Sequence, residues 1–141
     1  MRNRHNMLYS IQSIRFYNYT ESVIIMAESK LRTQSLDFAV AIIRLVKELK
    51  AKHETIISNQ IGRSGTSIGA NIREAQYAQG TADFLSKLQI ALKEASETGY
   101  WLELLYRTDY ISEQEYKELN DACTSIRIML ISSVNTTKNK Q

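Results

Sequence analysis

The stretch QIGRSGTSIGANIREAQ (residues 60–76), followed after a short glycine break by DFLSKLQIALKEASETGYWLELL (residues 83–105), decides how this chain folds. Apolar residues recur in both segments every third or fourth position, the period of an amphipathic helix. Ser67, Asn71, Glu74, Lys87 and Glu94 lie on or beside the face that this period would bury. A surface helix ordinarily keeps its polar groups on the far side. Two adjacent helices that break the rule either stitch a polar network into a bundle or build a site. The network, linking these five residues between the helices, is the preferred reading, because buried polar groups need partners.

On a helical wheel Gly62, Gly65 and Gly69 share a narrow arc beside the inner stripe. A glycine inside a helix costs about 1 kcal/mol relative to alanine. Three on one arc therefore predict a seam where another helix comes unusually close. The rival reading, a phosphate-cradling loop at GRSGTSIG, lacks the Gly-Lys-Ser/Thr ending and a preceding strand.

Working outward, four helices can be placed. The first runs from about Leu36 to Lys50, with Phe38, Ala39, Ile42, Ile43, Val46 and Leu49 inside and Ser35 as N-cap. The second spans roughly Thr55 to Ala78, with Ile57, Ile61, Ser64, Ile68, Ile72 and Ala75 in register and Gly80 suited to its C-terminal cap. Thr81 caps the third, Ala82 to Tyr106, whose stripe is Phe84, Leu88, Ala91, Ala95, Thr98, Leu102 and Leu105. The fourth opens on the capping box Ser112-Glu113-Gln114-Glu115 and continues through Tyr116, Leu119, Ala122, Ile126, Met129 and Leu130 toward Val134. With no proline, no alternating strand pattern and short links, these helices predict an all-α, up-and-down four-helix bundle. The bundle is expected over residues 31–134, with a frayed polar tail at 135–141.

Beyond its inner stripe the third helix carries Leu85 and Leu92 on one flank, and Ile90, Trp101 and Leu104 on the other. A helix apolar nearly all round is buried on more than one side. These five residues are therefore the expected surface of a homo-oligomer.

The formal charge of +3 is unevenly distributed. Residues 1–25 hold three bases and one acid, hence +2, and residues 26–141 hold 15 bases and 14 acids, hence +1. Basicity is thus mostly a property of the first segment. Its apolar residues are too interrupted for a signal peptide or a membrane span. Met26 offers a second start just before the first periodic helix, so residues 1–30 are read as an extension, unstructured or belonging to a mis-assigned start. A lone Cys123 inside a helical pattern reads as a small core hydrophobe in a reducing, cytoplasmic setting.

Catalytic chemistry is sparse. His53 is the one histidine after the first segment, and the Glu-x-x-His pairs of a bundle di-iron site do not occur. Glu94-x-x-Glu97 with Glu118-x-x-Asp121 could hold Mg²⁺ for nucleotide hydrolysis, but acids three apart are common on helices. No enzyme, cofactor, metal or small-molecule substrate is expected.

The compound pattern Gln60-Ile61-x-Arg63-Ser64, Ser67-Ile68-x-x-Asn71-Ile72-x-Glu74-Ala75, Asp83-Phe84-x-x-Lys87-Leu88-x-Ile90-Ala91 and Lys93-Glu94-Ala95-x-Glu97-Thr98-x-Tyr100-Trp101-Leu102 resembles the family of proteins encoded in 23S rRNA intervening sequences, the S23 type. It is similar, too, to accessory proteins of diversity-generating retroelements. The resemblance covers about Leu31 to Val134. It implies a left-handed up-and-down bundle, assembly as a homo-oligomeric ring, a pentamer, and loose association with RNA or DNA through a basic surface. Two positions depart from the family pattern: Gly62 stands where a second basic residue before Arg63 is common, and Arg73 replaces a small residue. Arg63, Arg73 and Lys93 are the candidate phosphate contacts. The leading expectation is a non-enzymatic, nucleic-acid-associated ring; the alternatives are a protein-interaction scaffold and the metal-dependent hydrolase.

Overall fold

The computed structural model describes the backbone of residues 4–140 and the side chains of residues 21–140. Most of the expected extension, including Arg2, Arg4 and Arg15, therefore lies outside the described side chains. Four helices follow in order: α1 (Arg4–Ala51), α2 (Ile56–Ala75), α3 (Thr81–Arg107) and α4 (Glu113–Lys138). No strand occurs among the described residues. The chain divides into two units, residues 1–30 and residues 31–141.

Helix α1 is assigned from Arg4, far ahead of the Leu36 that periodicity indicates. No residue from 21 to 30 is buried, and Leu31 is the first that is. The apolar stripe thus marks where the helix gains a packing partner, not where its backbone becomes helical. Ser35 is accordingly not an N-cap. It is buried inside the helix, its hydroxyl donating to the Arg32 carbonyl at 3.0 Å. The same distinction corrects the C-terminal end, where α4 continues past Val134 to Lys138.

Consecutive helices run antiparallel. Residues Gly62, Gly65 and Gly69 of α2 lie against Val46, Ile42 and Ser35 of α1 in reversed order. The predicted seam is real. A methyl group at Gly65 would sit 2.9 Å from both γ carbons of Ile42, and one at Gly69 would sit 3.5 Å from the Ser35 carbonyl oxygen. Helix α3 meets α4 through stacked rings of Tyr106 and Tyr116, centroids 4.9 Å apart, and through the Cys123 thiol, which donates to the Ala95 carbonyl at 3.3 Å. Burial pushes that thiol up to about 11, so it remains a protonated core group.

The core is formed by the stripes of α2 and α3 almost as expected, with Phe84 only partly buried. On α1, however, Leu45 is buried while Ile43 is 42% exposed. On α4, Cys123 is buried as read, while Ala122, placed on the inner stripe, is exposed. In each case the spacing allowed two neighbouring stripes, and the positions of the adjacent helices select between them.

The links are set by capping chemistry. Helices α1 and α3 both end in a bond spanning six residues, from Glu54 N to the Leu49 carbonyl and from Tyr110 N to the Leu105 carbonyl, each 2.9 Å. The residues in the left-handed region there are His53 and Asp109, both with φ 63°. Gly80 instead precedes α3 in extended backbone and is not the C-cap of α2; Gln76 occupies that place. The box at α4 forms as read, with Glu115 N donating to Ser112 Oγ at 3.2 Å and Ser112 N to Glu115 Oε2 at 2.7 Å.

Candidate functional site

The α2–α3 face collects most of the polar residues singled out from the sequence, but as three separate groups. In the first, Arg63 on α2 reaches across to α3. Its Nη1 donates to Glu94 Oε2 at 3.2 Å and its Nη2 to Glu97 Oε1. The Trp101 indole N–H, a turn further on, donates to the same Glu97 oxygen at 3.1 Å. Glu97 is held below the usual carboxylate range, chiefly by the Arg63 hydrogen bond and then by the indole. The guanidinium is raised in turn, first by its hydrogen bond to Glu97 and then by the charge of Glu94. One cation and two carboxylates leave this cluster with a net charge of −1. Arg63 is therefore a helix-to-helix clasp, with donors engaged by carboxylates that compete with any phosphate.

The second group lies beneath that clasp, in the core. Ser64 Oγ and Thr98 Oγ1, both fully buried, are hydrogen-bonded at 2.9 Å, and Thr98 Oγ1 also donates to the Glu94 carbonyl at 2.8 Å. Sequence reasoning placed both residues on inner stripes without pairing them, although a hydroxyl at a core position of each of two adjacent helices is the legible signal. Thr98→Val is expected to destabilise the protein by about 1–2 kcal/mol, because it strands the Ser64 hydroxyl. Adding Ser64→Ala should recover part of that loss, as read by chemical denaturation of the two single variants and the double; strictly additive losses would refute the pairing.

The third group is peripheral. Lys87 Nζ meets Glu74 Oε2 at 2.7 Å near the other end of the helices, with side chains 30% and 59% exposed. Such a surface pair contributes little stability. Asn71 turns back onto its own helix, donating to the Ser67 carbonyl at 2.9 Å and to Ser67 Oγ at 3.2 Å. The five residues expected to form one inter-helix network thus do not join. Only Glu74–Lys87 pair across the helices, while Glu94 bonds to Arg63.

The family model for 23S rRNA-intervening sequence proteins matches residues 27–132. The chain belongs to this family. A solved structure, a protein of unknown function from the S23 ribosomal protein family of Bacteroides thetaiotaomicron, is 53% identical and superposes with a TM-score of 0.76. The match covers 77% of this chain and 98% of that one. No curated protein matches the chain.

In this 23S rRNA-intervening sequence protein the remaining candidates are dispersed. Arg73 and Lys93 are exposed and have no carboxylate partner among the described residues. Arg63 and Arg73 lie ten residues apart on α2, about 15 Å along the axis. The two acid pairs of the hydrolase reading are not brought together. Glu94 and Glu97 hold Arg63, whereas Glu118 lines a groove with α1 and Asp121 pairs with Lys117 at 2.9 Å. No group of three or more His, Cys, Asp or Glu among the described residues is arranged to hold a metal. No described helix is long and apolar enough to cross a membrane.

The apolar surface also differs from expectation. Leu85, Leu92, Trp101 and Leu104 are partly buried against the core of their own subunit, and Ile90 alone of the five is exposed, at 38%. Helix α1 instead presents Leu36, Val40 and Ile43, spaced four and three apart and all more than 40% exposed. The sequence reading missed this stripe because it assigned Ile43 to the core.

Proposed function

We propose that this 23S rRNA-intervening sequence protein is a non-enzymatic, self-associating bundle that contacts RNA through the phosphate backbone. Family membership, with its link to rRNA, is the observation that carries the reading. Of the three candidate bases, Arg73 and Lys93 are exposed and have no carboxylate partner among the described residues, whereas Arg63 bonds to Glu94 and Glu97. Self-association is supported by the exposed Leu36, Val40 and Ile43 stripe together with Ile90. A ring, the pentamer implied by family resemblance, would repeat each exposed cation around its axis and multiply a weak contact.

Mobility shift of a structured rRNA fragment across a salt series tests the reading, with light scattering on the same sample. Binding should weaken steeply with salt and be indifferent to base sequence. Arg73→Gln and Lys93→Gln should each lower the slope of log K against log salt by about one per lost phosphate contact, while Arg63→Gln leaves it unchanged. Absence of binding at low salt, or a mass equal to a single chain at micromolar concentration, would reject the corresponding half of the proposal.

A further inference from the structure

On the side of the bundle away from the Arg63 clasp, α1 and α4 leave an open groove of about 540 Å³. Its lining on α1 runs from Gln34 to Glu48, about 21 Å along the axis. The floor is apolar: Phe38, Leu45 and Leu119 lie along it, and Ala41 and Ala122 keep the side chains short. At one end Ser125 Oγ donates to Gln34 Oε1 at 3.4 Å, linking the two helices.

The rim is acidic. Of the lining residues, Asp37 and Glu48 on α1 and Glu115 and Glu118 on α4 are acidic and Arg44 is basic, while Lys52 and Lys117, outside the lining, lie near Glu115 and Glu118. No ion pair crosses the groove among the described residues. Glu118 is held in place by Gln114 Nε2 at 3.0 Å. Glu115 is kept below the usual carboxylate range, first by the Ser112 backbone amide and then by that residue's side chain. The lining itself carries four carboxylates and one guanidinium, a net charge of −3 that disfavours phosphate.

We propose that this groove docks a basic amphipathic helix of a partner protein. Three features fit that occupant together. The length matches about four helical turns. The alanines at the middle leave room for apolar side chains entering at i, i+4 and i+7, the helix-in-groove mode. The acids along both edges are placed to meet Lys and Arg flanking that stripe.

The test uses the full chain and three labelled synthetic peptides of about 15 residues. The first is a leucine–lysine helix with its leucines on one stripe, the second a scramble of the same composition, and the third the striped peptide with glutamate in place of lysine. Fluorescence anisotropy should show binding of the first, with the other two at least about tenfold weaker. Asp37→Lys combined with Glu118→Lys should weaken the first by about tenfold or more, since both rim charges reverse. Ala122→Phe, at an exposed position, should block binding while circular dichroism and the molecular mass stay unchanged. Equal binding of the scramble, no effect of Ala122→Phe, or no binding of any peptide would overturn the proposal. So would a fall in mass on Ala122→Phe, which would show a second copy in the groove, or displacement of the peptide by an rRNA fragment.

Discussion

Gly65→Val is expected to lower the unfolding free energy by about 3 kcal/mol, the upper end of ordinary overpacking costs. The first carbon added at this position would already lie 2.9 Å from Cγ1 and Cγ2 of Ile42, and 3.3 Å from its Cβ. Ile42 is fully buried and β-branched on a helix, so it has essentially one rotamer and nowhere to retreat. The strain must be relieved by moving α1 away from α2, and the flanking contacts at Gly62 and Gly69 would be lost with it. Gly65→Ala should destabilise by a smaller amount, because about 1 kcal/mol of helix propensity offsets the clash. Gly99→Ala on α3 provides the opposite sign. Nothing lies within 4 Å of the added carbon there, so propensity acts alone and stability should rise by about 0.5–1 kcal/mol. Chemical denaturation of the three variants decides the matter. A stabilising Gly65→Ala would mean that the seam is not close-packed.

Glu54→Ala should cost about 2–3 kcal/mol, although Glu54 makes no ion pair among the described residues and lies in a turn. Its side chain is buried, and its two oxygens accept from the first amides of α2, Ile57 N at 2.8 Å and Ser58 N at 2.7 Å. Thr55, the nominal N-cap, makes no side-chain cap bond, so no other group serves these amides. Removing the carboxylate strands two buried donors and takes a negative charge from the positive end of the helix. Glu54→Gln retains one acceptor oxygen and should lose roughly half as much. Hydrogen exchange adds a local readout, since the Ile57 and Ser58 amides should exchange faster in Glu54→Ala. Unchanged protection at both amides would show that the cap is not what holds this end of α2.

The candidate site was legible to different depths. Gly62, Gly65 and Gly69 predicted a close helix contact because a mid-helix glycine has a known cost and few uses. The partner on α1 was not readable, since no local pattern encodes which Ile42 or Ser35 will face the seam. Glu94 and Arg63 were both picked out, yet assigned to different roles, one to a network and one to phosphate. Period places a residue on a face but does not say what stands opposite, so the clasp became visible only once α2 and α3 were antiparallel and in register. Glu54 was missed outright, because it sits one residue before the N-cap, where sequence rules look for Ser, Thr, Asp or Asn.

Taken alone, the residue order determined the class of structure. Without proline, with four stripes of helical period and with the Ser112–Glu115 box, these 141 residues favour four helices and short turns. It also determined most of the cores of α2 and α3, where one stripe is much more apolar than its neighbours. Packing decided the rest: the choice of Leu45 over Ile43 on α1, the capture of Arg63 by two carboxylates, and the acid-rimmed groove between α1 and α4. Each of these depends on residues far apart in the chain. A helical period is local, whereas burial and ion pairing depend on which second helix arrives, and at what register.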